Sequence, residues 1–232
     1  MPTDLPPTLR RYADHMRTCA DPASLQTLPI PAADQVADGG GHVRPAYPGL
    51  MAFVMHRLGR SANHLIADAD PSWPTDMPAG SDGEPLTRRA WNVLARASLD
   101  DDPTAAAPLF GRVAEQGARF ADDGSNPEPR WYAELVLLHA LTSFAAWSND
   151  TDLLAAAADA AAYHQAETQP DHATGQPWAI HAALLRPDTL PLADLLLLPV
   201  SLPDGRSVIN RLLLADAVMA IESEAFLAAS GW

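Results

Sequence analysis

The sequence contains only one cysteine, Cys19, in 232 residues. A single thiol cannot form an internal disulfide, so the composition does not require an oxidising compartment, and we expect a cytoplasmic protein. Long apolar runs are also missing, because the leucine-rich stretch 190–200 is interrupted by Pro191, Asp194 and Pro199. Residues 1–20 lack the apolar segment of a signal peptide. We therefore expect neither a signal peptide nor a membrane span.

Positive charge is scarce as well. Lys and Arg together number 15 against 29 Asp and Glu, which gives a formal net charge of −14. A protein that grips a phosphate backbone needs the opposite excess, and an anionic membrane surface would be repelled by this field. The charge balance therefore argues against nucleic acid and against a membrane as partners.

Two common catalytic motifs are absent from the sequence. The Gly39–Gly41 run is followed by His42, and it lacks the Lys and the Ser or Thr of a phosphate-binding loop. No serine lies within a Gly-x-Ser-x-Gly pattern. Neither a nucleotide-binding loop nor a nucleophile elbow is predicted.

The residues that are abundant favour helices. Apolar residues make up 47% of the chain and 22 prolines divide it into short elements. Asp102-Pro103 predicts the start of a helix that runs to about Ala121, and Asn126-Pro127 predicts the start of the next. No stretch alternates polar and apolar residues in the way a half-buried strand requires. The sequence therefore predicts an all-α fold.

Aromatic residues recur at the predicted helix starts, at Tyr47, Trp91, Trp131 and Trp178. Their spacing of about 40 to 47 residues lies within the period of helical-hairpin arrays, in which neighbouring pairs complete each other's core. We interpret the chain as an array of antiparallel helical hairpins.

The predicted hairpin array indicates where the domains divide and where a functional site would lie. We expect a helical-hairpin domain over 85–232, preceded by an extension over 1–84 with one or two helices and irregular loops. Connectors between successive hairpins of such an array lie at the same end of the molecule. The connectors 70–90, 121–130 and 168–177 should therefore share one rim, and the last two carry most of the candidate site residues.

The first of these connectors is rich in acids. Asp122 and Asp123 lie in a loop with Gly and Pro, and Arg130 and Glu134 stand four residues apart on one face of the following helix. A carboxyl group near other acids has a raised pKa and can serve as a general acid. The other interpretation is helix capping together with a structural pair between Arg130 and Glu134.

The second connector combines imidazoles and carboxylates. His164 and Glu167 share a face at the end of one helix, and Asp171 and His172 follow in the loop. Such a set can supply three or four metal ligands, although its spacing matches no known zinc motif. A polar site without metal and a structural hydrogen-bond network remain alternatives, so metal and cofactor are left unknown.

Aromatic side chains accompany both connectors. Trp73, Trp131 and Trp178 could offer flat faces to a sugar or another ring beside the carboxylates. Aromatic residues at helix starts also serve as core residues or as hydrophobic staples. Both interpretations remain open from the sequence.

The helix-opening residues Trp91, Trp131 and Trp178, each after an acidic loop, resemble the pattern of α/α-toroid proteins. These include the six-hairpin glycosidases and the terpenoid cyclase and prenyltransferase group. The resemblance covers residues 85–232 and implies a partial toroid whose rim loops hold carboxylates, sometimes with a metal.

We therefore predict an acidic, aromatic-lined pocket at one rim, in a hydrolase or lyase that acts on a small or carbohydrate-like ligand. The carboxylates would be acid and base, with His164 or His172 as proton carrier or metal ligand. The candidate catalytic residues are Glu134, His164, Glu167 and His172, and the candidate ligand-binding residues are Asp122, Asp123, Arg130, Trp131, Asp171 and Trp178.

The alternative is a non-catalytic helical-repeat scaffold or protein-interaction module, in which the same loops stabilise the array. The sequence does not decide whether the chain is an enzyme. We also leave a homo-oligomer open, because the apolar face of the last helix around 212–214 could be core or could contact a partner subunit.

Overall fold

A computed structural model describes residues 4–27, 35–37, 43–45, 48–66, 83–122, 124, 127–167, 175–202 and 205–232. The fold is all-helical, as the sequence predicted. Its α-helices are α1 (Pro7–Ala20), α2 (Pro22–Thr27), α3 (Pro48–Arg57), α4 (Gly83–Leu99), α5 (Ala107–Glu115), α6 (Pro127–Ser148), α7 (Thr151–Glu167), α8 (Ile180–Ala183), α9 (Leu190–Ser201), α10 (Val208–Ile221) and α11 (Glu224–Ala229).

Shorter elements complete the described parts of the chain. Single turns of 3-10 helix span Asn63–Leu65, Pro103–Ala105 and Pro187–Thr189. Two three-residue strands, β1 (Gln35–Ala37) and β2 (Val43–Pro45), pair antiparallel with Gln35 opposite Pro45. The sequence did not predict this small ladder, because segments of three residues are too short to show an alternating pattern.

The first helices pack into the same core as the rest of the chain. Helix α1 lies against α10, and α3 lies against α4. Leu9, Met16 and Phe53 are fully buried in one hydrophobic cluster that also contains the apolar residues of α6 and α10. Helices α1 and α3 of the predicted extension over 1–84 therefore contribute residues to the same core.

Helix α6 runs through the centre of this core. It contacts α4, α7, α8 and α10, and every residue from Ala133 to Ala146 is buried. The apolar face of α10 is also core, since Leu212, Leu213 and Leu214 are at most 1% exposed. Polar residues on α6 and α10 therefore have to find partners inside the protein.

A glycine allows α3 and α4 to approach closely. A Cβ atom added at Gly49 would lie 2.4 Å from the carbonyl carbon of Trp91 and 2.5 Å from the backbone nitrogen of Asn92. No side chain fits there without a shift of one helix. Trp91 itself is fully buried in the middle of α4, so it does not open that helix as the sequence had suggested.

Two helices differ in length from the predictions. Asp102 does cap a helical start, because its side chain accepts the N–H of Thr104 at 3.0 Å, but the element that it caps is a 3-10 turn. Helix α5 then ends at Glu115 instead of near Ala121, because Gly117 and Ala118 both have a positive φ, 63° and 54°. Two left-handed residues in succession cannot continue an α-helix.

Among the described helices, none is both long enough and apolar enough to span a bilayer.

Candidate functional site

Described residues that flank the two connectors lie close together at one end of α6 and α7. The Tyr132 hydroxyl at the start of α6 donates to Oε1 of Gln176, which follows α7, at 2.9 Å. The guanidinium of Arg119, which follows α5, lies over the Tyr163 ring near the end of α7, 4.4 Å from its centroid. We call Arg119, Asp122, Arg130, Glu134 and His164 the rim cluster.

Glu134 is the buried acid of the rim cluster. Its residue is 2% exposed, and its Oε1 accepts the backbone N–H of Phe120 at 3.0 Å. The Oε2 atom makes no hydrogen bond with any described residue. Burial raises the pKa of Glu134 above its usual value, against the lowering effect of the Phe120 N–H and of the Arg130 and Arg119 charges. Such a carboxyl group holds its proton at higher pH than an exposed one.

Arg130 connects two carboxyl groups of the rim cluster. Its Nη1 lies 2.5 Å from Oδ1 of the exposed Asp122, and its Nε lies 4.0 Å from Oε1 of Glu134. The predicted pair between Arg130 and Glu134 is therefore present, but Asp122 is the closer partner. One acid is exposed and paired, whereas the other is buried and has a raised pKa.

His164 lies in the core beside the rim. It is fully buried on α7, and burial together with the charge of Arg119 lowers its pKa to about 4. The imidazole is therefore neutral at neutral pH. Glu167 is the exposed last residue of α7.

The predicted aromatic residues differ in exposure. Trp178 is fully buried, its Nε1 donates to Oε1 of Gln176 at 2.8 Å, and its ring meets Tyr132 edge-on. It is thus a core residue, whereas Trp131 is partly exposed in the second turn of α6.

Several predicted site residues cannot be placed. Asp123, Asp171, His172 and Trp73 lie outside the described residues, and so does Tyr47. The rim cluster is accordingly built from the predicted residues Asp122, Arg130, Glu134 and His164, to which the fold adds Arg119.

A second polar cluster was not predicted from the sequence. His139 and Ser143 on α6, His181 on α8 and Asp216 on α10 are all fully buried, and Arg57 at the end of α3 reaches them with a side chain that is 18% exposed. We call these five residues the buried polar centre. They come from four helices, so the centre ties together α3, α6, α8 and α10.

Asp216 receives three donors in this centre. His139 Nε2 lies 3.2 Å and Ser143 Oγ 2.5 Å from its Oδ2, and Arg57 Nη1 lies 3.4 Å from its Oδ1. Burial alone would raise the pKa of Asp216, but the hydrogen bond from His139 and the charge of Arg57 lower it below its usual value. The carboxyl group is therefore ionised and its charge is balanced by Arg57.

The two imidazoles of the centre are neutral. Burial lowers the pKa of both His139 and His181, and their ring centroids are 4.1 Å apart. His181 Nε2 lies 3.2 Å from Ser143 Oγ, which donates its own proton to Asp216, so Nε2 is the donor of that pair. His181 Nδ1 makes no hydrogen bond with a described residue.

His139, His181 and Asp216 have the composition of a metal site, with ligand atoms within 4.8 Å of one another. The hydrogen bonds oppose this use. His139 Nδ1 accepts the backbone N–H of Ala179 at 2.9 Å, so the ring proton must lie on Nε2, which faces Asp216. In a metal-binding imidazole, the nitrogen that does not bind the metal instead donates its N–H to an acceptor. Arg57 already neutralises Asp216, so a dication would bring uncompensated charge. These residues do not fit a metal.

Polar residues inside apolar segments of the sequence indicate part of the buried polar centre. His139 and Ser143 stand four residues apart within the apolar segment of α6, and Asp216 interrupts the apolar segment of α10. Ionisable residues in such positions are buried and have to be paired. Which of them would meet depends on the packing of separate helices, and the sequence pattern does not contain that information.

Comparison with known proteins gives no relative. No protein family matches the chain, and no match was found among curated proteins or solved structures.

Proposed function

We propose that the rim cluster binds a small, carbohydrate-like molecule, and that Glu134 donates a proton to it in a hydrolase or lyase reaction. The observation that carries this proposal is the state of Glu134. Its carboxyl group is buried and oriented by the Phe120 N–H, its pKa is raised, and Oε2 has no partner among the described residues. A general acid needs this combination of fixed geometry and a retained proton.

The different environments of Glu134 and Asp122 support a role in proton transfer. In hydrolysis, Glu134 would protonate the leaving oxygen while the bond from carbon to that oxygen breaks and its electron pair passes to the oxygen. Asp122, which pairs with Arg130, would take a proton from the attacking water. Arg130 thus lies between the proposed acid and the proposed base.

The surroundings of the rim cluster suit a ring-shaped ligand. Trp131, Tyr132 and Tyr163 are partly exposed beside it, and aromatic faces pack well against the apolar faces of sugars. The array of antiparallel hairpins and the partial α/α-toroid belong to this proposal. Helices α6 and α7, which pack side by side after a two-residue connector, are consistent with such a hairpin.

Substitution of Glu134 by Gln tests the proposal. The amide oxygen can still accept the Phe120 N–H, but the side chain has no acidic proton. We expect the variant to bind saccharides as the wild type does, followed by tryptophan fluorescence, and to hydrolyse nitrophenyl glycosides at least about 100-fold more slowly. D100N, which changes an exposed acid paired with Arg96, is the control.

Two results would contradict the proposal. Equal turnover by E134Q and the wild type would remove Glu134 from the chemistry. Absence of both saccharide binding and turnover in the wild type would remove the site itself.

The second candidate is the non-catalytic interaction module. One observation favours it: Leu195 and Leu198 in the C-terminal part of α9, and Leu202 directly after it, are 39%, 67% and 63% exposed. Leu198 borders a groove of about 460 Å³ that is also lined by Tyr12 and His15 of α1. A chain that lacks saccharide binding and in which E134Q alters only stability would favour this second function.

A further inference from the structure

We infer that the ligand of the rim cluster carries an anionic group and that Arg119 binds it. This inference rests on the proposed ligand site at the rim and adds the chemical class of the ligand. It starts from Arg119, an exposed cation at the rim that forms no ion pair with any residue that the structure describes.

Arg119 makes no ion pair with any described residue. Its side chain is exposed, and its guanidinium stacks on the Tyr163 ring. Arg130, by contrast, is paired with Asp122, and Arg186 with Asp159 and Asp188. The sequence has 29 acids against 15 basic residues, so an exposed arginine that pairs with no described carboxylate is available for a ligand.

The turn that carries Arg119 is costly to form. Ala118 has a φ of 54°, a conformation that costs an ordinary residue about 1–2 kcal/mol. Gly117, also left-handed, lies directly under the guanidinium, because a Cβ atom added there would be 3.3 Å from Arg119 Nε. Strained backbone of this kind is concentrated at functional sites, and here it sets the position of one side chain.

The charged groups of the rim cluster do not form a pair that neutralises the charge of Arg119. Arg130 and Asp122 neutralise each other, and His164 is a neutral imidazole. Glu134, the remaining acid of the rim cluster, is buried with a raised pKa. Arg119 is thus the exposed cation of the rim cluster that pairs with no described carboxylate, in a strongly acidic protein, and such a cation suits one carboxylate or one phosphate group.

Arg119 would bind a carboxylate and a phosphate in the same way. A guanidinium offers parallel N–H donors to two oxygens of a carboxylate or of a phosphate. The cation–π contact with Tyr163 holds the Arg119 guanidinium beside an aromatic ring, and the residue is exposed to solvent. A ligand that combines a ring with one such group would contact the aromatic residues and Arg119 together.

The experiment compares three sugars that differ in this group: glucose, glucuronate and a glucose monophosphate. Each is titrated into the wild type, R119Q and R11Q, with binding followed by calorimetry and by the amide signals of residues 117–122. R11Q is the matched control, because Arg11 also lies over a tyrosine, Tyr12, and makes no ion pair with a described residue, but it is on α1.

We expect the wild type to bind one of the two anionic sugars at least tenfold more tightly than glucose. R119Q should lose this preference, whereas R11Q should keep it. Which anionic sugar binds identifies the group as a carboxylate or a phosphate.

The possible failures can be distinguished. Equal affinity of the wild type for glucose and both anionic sugars, or a preference that survives in R119Q, overturns the inference and leaves the rim site standing. Absence of binding by all three sugars overturns the rim site together with the inference.

Discussion

Asp216 shows at the scale of one residue how an ionised group is accommodated in this core. It is fully buried, and its oxygens face His139, Ser143 and the guanidinium of Arg57. Exchanging one carboxylate oxygen for an amide leaves Arg57 without a counter-charge and places an N–H₂ group opposite two donors. Removal of this charge should therefore cost more stability than removal of one partner of a surface pair, because it leaves a buried charge uncompensated.

We predict that D216N lowers the free energy of unfolding by about 3–5 kcal/mol. Urea denaturation followed by circular dichroism measures this change. D159N is the matched control, because Asp159 is 80% exposed and pairs with Arg186 at the surface, and it should barely change the midpoint. A loss no larger than that of D159N would show that the charge of Asp216 is unimportant for stability.

His164 makes stability depend on pH. Its pKa is about 4 in the folded protein and 6.5 for a histidine in water, so between these values the unfolded chain binds a proton that the folded chain does not. Folding stability therefore decreases as pH falls from about 6.5 toward 4.

We predict that the wild type loses about 2 kcal/mol more than H164Q in unfolding free energy between pH 7 and pH 5. The free energies come from urea titrations at the two pH values. H56Q, at an exposed position of α3, should follow the wild type. Parallel pH profiles of the wild type and H164Q would contradict the buried, neutral state of His164.

At the scale of elements, local signals in the sequence explain most helix limits. Helix α1 ends at Ala20, shortly before Pro22, and α10 begins after Ser207, whose side chain accepts the N–H of Asn210. The sequence pattern of residues 207–228 predicts one long helix, but Ser223 caps a separate α11 by accepting the N–H of Phe226. A serine inside an apolar helix and a serine cap are hard to distinguish from sequence, because the difference is the backbone conformation.

The crossing of α3 and α4 offers a test of packing. We predict that G49A lowers the free energy of unfolding by about 1–3 kcal/mol, because its methyl group would overlap the backbone of α4 at Trp91. G111A is the control within α5, where an added Cβ meets nothing within 4 Å. It should raise the free energy by about 0.5–1 kcal/mol through helix propensity. Thermal unfolding of both variants measures the contrast, and equal effects would contradict the close approach.

At the scale of the whole molecule, α6 determines where the sites lie. One end of this helix carries Glu134 toward the connectors, and its middle carries His139 and Ser143 toward α8 and α10. The rim cluster and the buried polar centre are thus separated along a single helix. The described residues before α4 close the core from the other side through α1 and α3.

The sequence by itself determined the helical class, most helix limits and the burial of Glu134, because these depend on residues within a few turns of one another. Its prediction that 121–130 and 168–177 share one rim stays a prediction, with which the hydrogen bond from Tyr132 to Gln176 is consistent. Only the tertiary structure placed Arg119 beside Glu134 and joined His139, His181 and Asp216. Those contacts join separate parts of the chain. The periodicity of side chains indicates which face of a helix is buried, but it does not indicate which other helix packs against that face.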